Sequence, residues 1–471
     1  MFSPNRIRVI AFLASWAQPA AAVIAQDAAS GPRGGAPALQ PLEAAIAAGN
    51  WIRHHQIENE RGMVWPTVPD ESPDVQRNLY SGTPGIILFF LELGRATGDE
   101  SWTADAKRGA DDLIASLPET HEGADFGLWT GLAGQAFTLH RVYVATGEEK
   151  YLQGARRGLE LIRAGAVADE DGAGVHWNEV TDIIGGTAGI GLFLLYAADA
   201  MEEPGMLDLA IKAGDHLISR GRSVDLPLGG TGLKWSMTDE FPRLMPNFSH
   251  GTAGISYFLV SLHDELKTRG LLRDDRFLDA GTDGAQYVVS ISDPSNGGFL
   301  VFHHEPEGED LYYLGWCHGP VGTARLIYRL AIVSESESLG TVVGRCARSI
   351  MTSGIPDQRT PGFWDNVGPC CGSAGVAEFF LKMSTLYQKP EYEVFARAMH
   401  EDIMKRATRV DLPDGKVGLK WIQAEHRVRP EFLQAQTGYM QGASGIGLWL
   451  LRLHAFDTGK DFDLRFPDSP Y

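Results

Sequence analysis

Gly368-Pro369-Cys370-Cys371-Gly372-Ser373-Ala374-Gly375 ends in a Gly-x-x-Gly, and an apolar run with Val376, Phe379, Phe380 and Leu381 follows at once. The pattern recurs along the chain. Gly82-Thr83-Pro84-Gly85 leads into Ile86 to Leu91, and Gly131-Leu132-Ala133-Gly134 into Ala136, Phe137 and Leu139. Gly186-Thr187-Ala188-Gly189 and Gly251-Thr252-Ala253-Gly254 precede Ile190 to Leu195 and Ile255 to Leu259. Gly319-Pro320-Val321-Gly322 and Gly442-Ala443-Ser444-Gly445 complete the set. The seven copies lie 49 to 70 residues apart, which suits one helix–loop–helix unit per copy.

The segment after each Gly-x-x-Gly is nearly all apolar, so it reads as a helix buried on most sides. Between copies the pattern is amphipathic, at Lys107 to Leu117, Tyr151 to Ala164, Leu207 to Ser219 and Glu393 to Arg406. Buried helices inside amphipathic ones give an all-α fold, an α/α toroid with two rings of helices in seven hairpin repeats. A helix start leaves backbone N–H groups unpaired, and glycine there permits a tight, close approach. Seven such starts at one end of a ring would place seven loops around one cavity, where ligands collect. For most copies the glycines need only serve packing.

Reactive side chains stand just before a few copies. Copy five carries Trp316-Cys317-His318-Gly319, copy six Cys370-Cys371-Gly372, copy four Ser249-His250-Gly251, and copy three has Asp182 four residues before Gly186. Equivalence of the repeats would bring these onto one rim. Zinc takes thiolate and imidazole ligands tetrahedrally, and a catalytic site keeps one position open. Cys317, Cys370 and Cys371 are therefore expected to ligate one Zn2+, the bland alternative being small thiols packed against glycine. Adjacent cysteines rarely bridge each other. Cys346, in a helical pattern, reads as a packing residue. His250 is a candidate acid–base group. Asp182 is a second catalytic candidate or a plain helix cap. His318 is a supporting group or an alternative ligand. Tyr313 and Tyr439 read as cavity walls. The segments at His176-Trp177, Leu233-Lys234-Trp235 and Leu419-Lys420-Trp421 read as repeat structure lining or supporting the cavity.

The chain has 471 residues and is 44% hydrophobic, enough for a large core. Length alone suggests about three domains, but the repeats argue for one closed domain over 41–471. Its net charge of −19 excludes a nucleic-acid binder built on clustered Lys and Arg. Arg6 and Arg8 precede an apolar, Ala-rich run from Val9 to Ala25, which reads as a cleaved secretory signal over 1–25. An uncleaved anchor is the alternative. Residues 26–40 read as a flexible leader. The mature chain has no stretch apolar enough to span a membrane. The expected location is periplasmic or secreted.

From about Asn78 to Leu453, these motifs resemble the lanthionine synthetase C-like family. The resemblance implies an α/α toroid with a central zinc. It assigns Cys317 as the first ligand, and Cys370 and Cys371 as the others, with a Cys where His is usual. It maps the acid–base His onto His250 and a catalytic Asp onto Asp182, and puts Tyr313 where an Arg is usual. The implied chemistry is activation of a thiol and its conjugate addition to dehydroalanine or dehydrobutyrine, in a peptide or small-molecule substrate. Two other readings remain. One is an exported toroid glycan hydrolase or lyase using carboxylates, and the other a zinc-bearing peptide-binding module without catalysis. No leader-binding or dehydratase segment is evident, and the sequence is silent on oligomeric state.

Overall fold

The computed structural model describes residues 39–170, 172–238 and 243–471. The proposed signal, and all of the proposed leader except Leu39 and Gln40, lie outside them. Fourteen α-helices are found among the described residues. They are α1 (Pro41–His54), α2 (Thr83–Thr97), α3 (Glu100–Ala115), α4 (Leu132–Thr146), α5 (Glu149–Ala164), α6 (Thr187–Ala200) and α7 (Met206–Arg220). The rest are α8 (Thr252–Thr268), α9 (Arg276–Ser290), α10 (Pro320–Val333), α11 (Glu337–Met351), α12 (Ser373–Tyr387), α13 (Pro390–Lys405) and α14 (Ala443–Thr458).

The even-numbered helices form the inner ring. Each packs on the next, from α2 through α12 to α14, and α14 packs back on α2, so the ring is closed. The first glycine of every copy is the N-cap of an inner helix. In α2 every residue from Thr83 to Gly94 is buried. Each fully buried Leu or Phe contributes about 1.5–3 kcal/mol. The outer helices are one-sided. In α5, Tyr151, Leu152, Ala155, Leu159 and Ile162 face inward, while Arg156, Arg157, Glu160 and Arg163 are exposed. Six inner helices pack on the helix that follows them. The seventh, α14, packs on α1, so the chain's first helix completes its last hairpin.

Short antiparallel strand pairs decorate the connections, among them Val167–Ala168 with Val175–His176, and Arg222–Asp225 with Thr231–Lys234. Three strands, Ala407–Asp411, Val417–Ala424 and Leu433–Ala435, form the largest sheet among the described residues. The recurrent tryptophans hold outer helices. The indole N–H groups of Trp177, Trp235 and Trp421 donate to the carbonyls of Ile162, Leu217 and Ile403 at 2.6, 2.7 and 2.9 Å. Those carbonyls lie in the last turns of α5, α7 and α13, where a helix leaves acceptors unpaired.

The second glycine of each copy has a sharper reason than helix packing. A Cβ on Gly189, Gly254, Gly322 or Gly375 would stand 2.0 Å from the carbonyl oxygen six residues upstream. The loop folds back against its own helix start, and none of these glycines has a positive φ. Close approach, not left-handed backbone, is what the position demands.

Candidate metal centre

The folded-back loops are tied to one another. Tyr80 N–H donates to the Trp129 carbonyl, Trp129 to Ile184, Ile183 to Ser249, Ser249 to Cys317, Cys317 to Cys370, Cys370 to Met440, and Met440 to Tyr80, all at 2.8–3.3 Å. Seven backbone hydrogen bonds thus close a circle at one end of the inner ring. An unpaired buried backbone group would be costly, so the circle fixes the loops whatever side chains they carry.

Three of those side chains are thiols. Cys317 and Cys370 stand two residues before the first glycine of their copies, and Cys371 one before. Adjacent repeats make them spatial neighbours. Cys317 Sγ lies 3.0 Å from Cys371 Sγ, which lies 3.2 Å from Cys370 Sγ. All three are reduced and buried. Cys370 Sγ also accepts the Tyr80 hydroxyl at 3.3 Å. Hydrogen bonds from neighbouring thiols hold the Cys370 thiol well below the usual range, with burial opposing. Burial pushes Cys317 well up, and hydrogen bonding to the other two sulfurs does so for Cys371. The three sulfurs thus share their protons through hydrogen bonds, and a soft cation would displace them.

The donor set fits a metal. The three sulfurs lie within 4.8 Å of one another. A tetrahedral zinc with Zn–S bonds of ~2.3 Å has sulfurs about 3.8 Å apart, so a modest spreading would admit the ion. Cys346, by contrast, is buried in α11, its thiol pushed up to about 12 by burial.

Beside the thiols stands a His–Asp pair. His250 Nδ1 lies 2.6 Å from Asp182 Oδ2. Asp182 Oδ1 accepts the N–H groups of Gly185 and Gly186 at 2.9 and 3.0 Å. One Asp182 oxygen thus closes the turn, as a cap would, and the other holds an imidazole. Burial pulls the His250 pKa down, but the Asp182 hydrogen bond and charge outweigh it, and the net shift is upward.

Further imidazoles continue from His250. His318 lies 5.5 Å from His250, ring to ring, and stacks on His303 at 4.0 Å. Burial holds the His318 pKa well down and brings His303 to about 3. His318 Nδ1 is buried without a hydrogen-bond partner among the described residues. Tyr313 packs edge-on to His318, and its hydroxyl accepts from Arg427 Nε at 3.0 Å. Tyr439 stacks on Trp129 at 5.6 Å, as a wall residue would.

Sequence reasoning missed Tyr80 and Arg427. Tyr80 occupies the same repeat position as Cys317 and Cys370, so extending the comparison to copy one would have found it. Arg427 comes from the loop between the strands Val417–Ala424 and Leu433–Ala435, outside any repeat position, and carries no such signal.

Fold and site together define an α/α toroid with a three-thiol centre and a His–Asp pair on its loop-end rim. The chain belongs to the lanthionine synthetase C-like protein family, whose model matches residues 73–464. Among solved structures it is similar to nisin cyclase, at 17% identity and a TM-score of 0.57, covering 80% of this chain and 88% of that one. It also aligns with an unsaturated glucuronyl hydrolase specific for heparin, at 14% identity and a TM-score of 0.47, covering 89% and 97% of the two chains. A sugar epimerase from a ruminal bacterium aligns at 13% identity and 0.46, covering 89% and 98%. No curated protein sequence matches the chain.

Proposed function

We propose that this protein is a zinc-dependent enzyme that joins a thiol to a dehydroamino acid, forming a thioether. The observation that carries the reading is the convergence of Cys317, Cys370 and Cys371 beside the His250–Asp182 pair. Family membership supports it, and so does the resemblance in fold to nisin cyclase.

A zinc ion on the three sulfurs would lower the pKa of a substrate thiol toward neutrality. The remaining roles fall to the chain. The substrate thiolate adds to the β-carbon of a dehydroalanine or dehydrobutyrine. A C–S bond forms, and the π pair of the C=C bond moves to the α-carbon and its carbonyl as an enolate. His250, held by Asp182 through Nδ1, delivers a proton from Nε2 to the α-carbon. The balance is redox-neutral, and the proton lost by the thiol is matched by the one gained at carbon. Tyr80, donating to Cys370, steadies a sulfur that carries charge.

The substrate in this reading is a peptide or small molecule bearing a thiol and a dehydroamino acid. The same reading has the protein acting outside the cytoplasm, on the pattern from Arg6 to Ala25. Bound zinc would there protect three clustered thiols from oxidation. Among the described residues, no helix is long and apolar enough to cross a membrane.

The test is zinc stoichiometry with thiol counting on the mature protein and on Cys371→Ala. It is followed by incubation with a peptide containing both cysteine and dehydroalanine. Cyclisation leaves mass unchanged, so it is read as loss of an alkylatable thiol. One zinc per chain, loosened in the variant, and zinc-dependent thiol loss are expected. A metal-free protein, or native material with Cys370 and Cys371 oxidised, would sink the mechanism.

A further inference from the structure

A second cluster of metal-binding side chains lies away from the thiols. Asp169 follows the strand Val167–Ala168, His176 ends the strand paired with it, and His216 projects from α7. His216 Nδ1 lies 2.7 Å and His176 Nδ1 3.0 Å from the same oxygen, Asp169 Oδ1. The two imidazoles stack with ring centres 4.7 Å apart. One donor atom from each residue falls within 4.8 Å of the other two.

We propose that Asp169, His176 and His216 bind a divalent first-row transition ion, independently of the thiol centre. Bonds of about 2.1 Å put neighbouring donors about 3.0–3.4 Å apart, against 2.7 and 3.0 Å from Asp169 Oδ1 to the two imidazole nitrogens. Two imidazoles and one carboxylate are a borderline donor set, suited to Zn2+, Co2+ or Ni2+ rather than Ca2+ or Mg2+. The side chains of His216, Asp169 and His176 are 10%, 17% and 21% exposed, so water can complete the coordination. The cradle is built for close approach. A Cβ on Gly174 would meet Asp169 Oδ2 at 2.2 Å and His216 Cα at 2.7 Å. The ion would clamp the hairpin Val167–His176 onto α7, and the chain runs from His176 through Trp177 to Asp182.

The test is a Co2+ titration of the metal-stripped full chain, followed by absorption and by bound-metal analysis. Thiolate-bound cobalt shows an intense sulfur-to-metal charge-transfer band, whereas an Asp/His site shows only weak d–d bands. Expected is one equivalent that binds without the charge-transfer band. His176→Ala and the near-isosteric Asp169→Asn should each weaken it by at least about 100-fold. Any band from the thiol centre should be unchanged. That equivalent is read separately, so failure of the thiol centre would leave this result standing. The proposal is overturned if cobalt binds only with the charge-transfer band. It is also overturned if the second equivalent persists in both variants. The trio would then be a hydrogen-bonded clamp alone.

Discussion

The loop-end rim of the inner ring and the space just behind it are finished in different ways. At the loop end, backbone hydrogen bonds alone close the circle, and the side chains there include thiols, imidazoles and a carboxylate. Deeper in the ring, the chain's own tail supplies the filling. Phe466 packs on Phe137, Trp129 and Tyr439, and buried Asp468 pairs with Arg325 at 2.8 Å and accepts the Trp316 indole at 3.2 Å. A cavity of about 300 Å³ remains beside the tail, lined by Glu378, Lys382 and Arg452 among others. The contrast amounts to a division of labour. Where the backbone satisfies itself, side chains are free for chemistry. Behind the rim, side chains are committed to holding the tail. Trp316 and Cys317, neighbours in sequence, stand on opposite sides of that division.

The largest effect should come at the rim. His250→Ala is expected to lower thioether formation by about 10²–10⁴-fold, with zinc content nearly unchanged and the melting temperature lowered, since buried Asp182 loses its partner. Unaltered turnover with full zinc would remove His250 from the chemistry.

The backbone circle is tested by glycine. Gly254→Ala puts a methyl 2.0 Å from the Phe248 carbonyl and should cost about 4 kcal/mol or more in denaturant unfolding. Gly340 in α11 has open space around it, so Gly340→Ala should instead stabilise by about 1 kcal/mol. Equal effects at the two sites would show that the loop geometry is not what the repeat glycines protect. At the tail, Asp468→Ala leaves the Arg325 guanidinium, 16% exposed, without its carboxylate. A loss of about 3 kcal/mol is expected, with rim zinc retained. Loss of zinc would mean that the tail and the thiol centre are coupled through Trp316.

The repeat glycines and the apolar runs made the two rings legible, because close approach and burial both write themselves into sequence. Cys317, Cys370, Cys371 and His250 were legible for the same reason: equivalent places in adjacent repeats become neighbours in space. The pairing of α1 with α14 was not, since α1 follows no Gly-x-x-Gly and its partner lies at the far end of the chain. Nor was the tail. Asp468 looks like any polar residue near a terminus until Arg325 and Trp316 are seen around it. The tryptophans at 177, 235 and 421 recur visibly in sequence, but their role as donors to open carbonyls at helix ends needed the fold.

The smallest effect discriminates most finely, because it separates the two oxygens of Asp182. In Asp182→Asn the amide oxygen can keep the Gly185 and Gly186 N–H bonds, so the turn should survive. The amide nitrogen then faces His250 Nδ1 as a donor, and the negative charge is gone. Burial, the downward influence, is then opposed by the Cys370 charge alone, and the His250 pKa should fall from its raised value. In the native protein that pKa is raised, so the pair's contribution to stability is fully present below pH 6.5 and is lost as pH rises through the higher folded value. Each tenfold gain in the folded protein's affinity for that proton is worth about 1.4 kcal/mol. Unfolding free energy should therefore decline across that window in the native protein and stay flatter in the variant. NMR titration of the His250 ring reads the change directly. An unmoved midpoint would mean that Asp182 serves the turn alone, and the rim would lose its claim to a tuned acid.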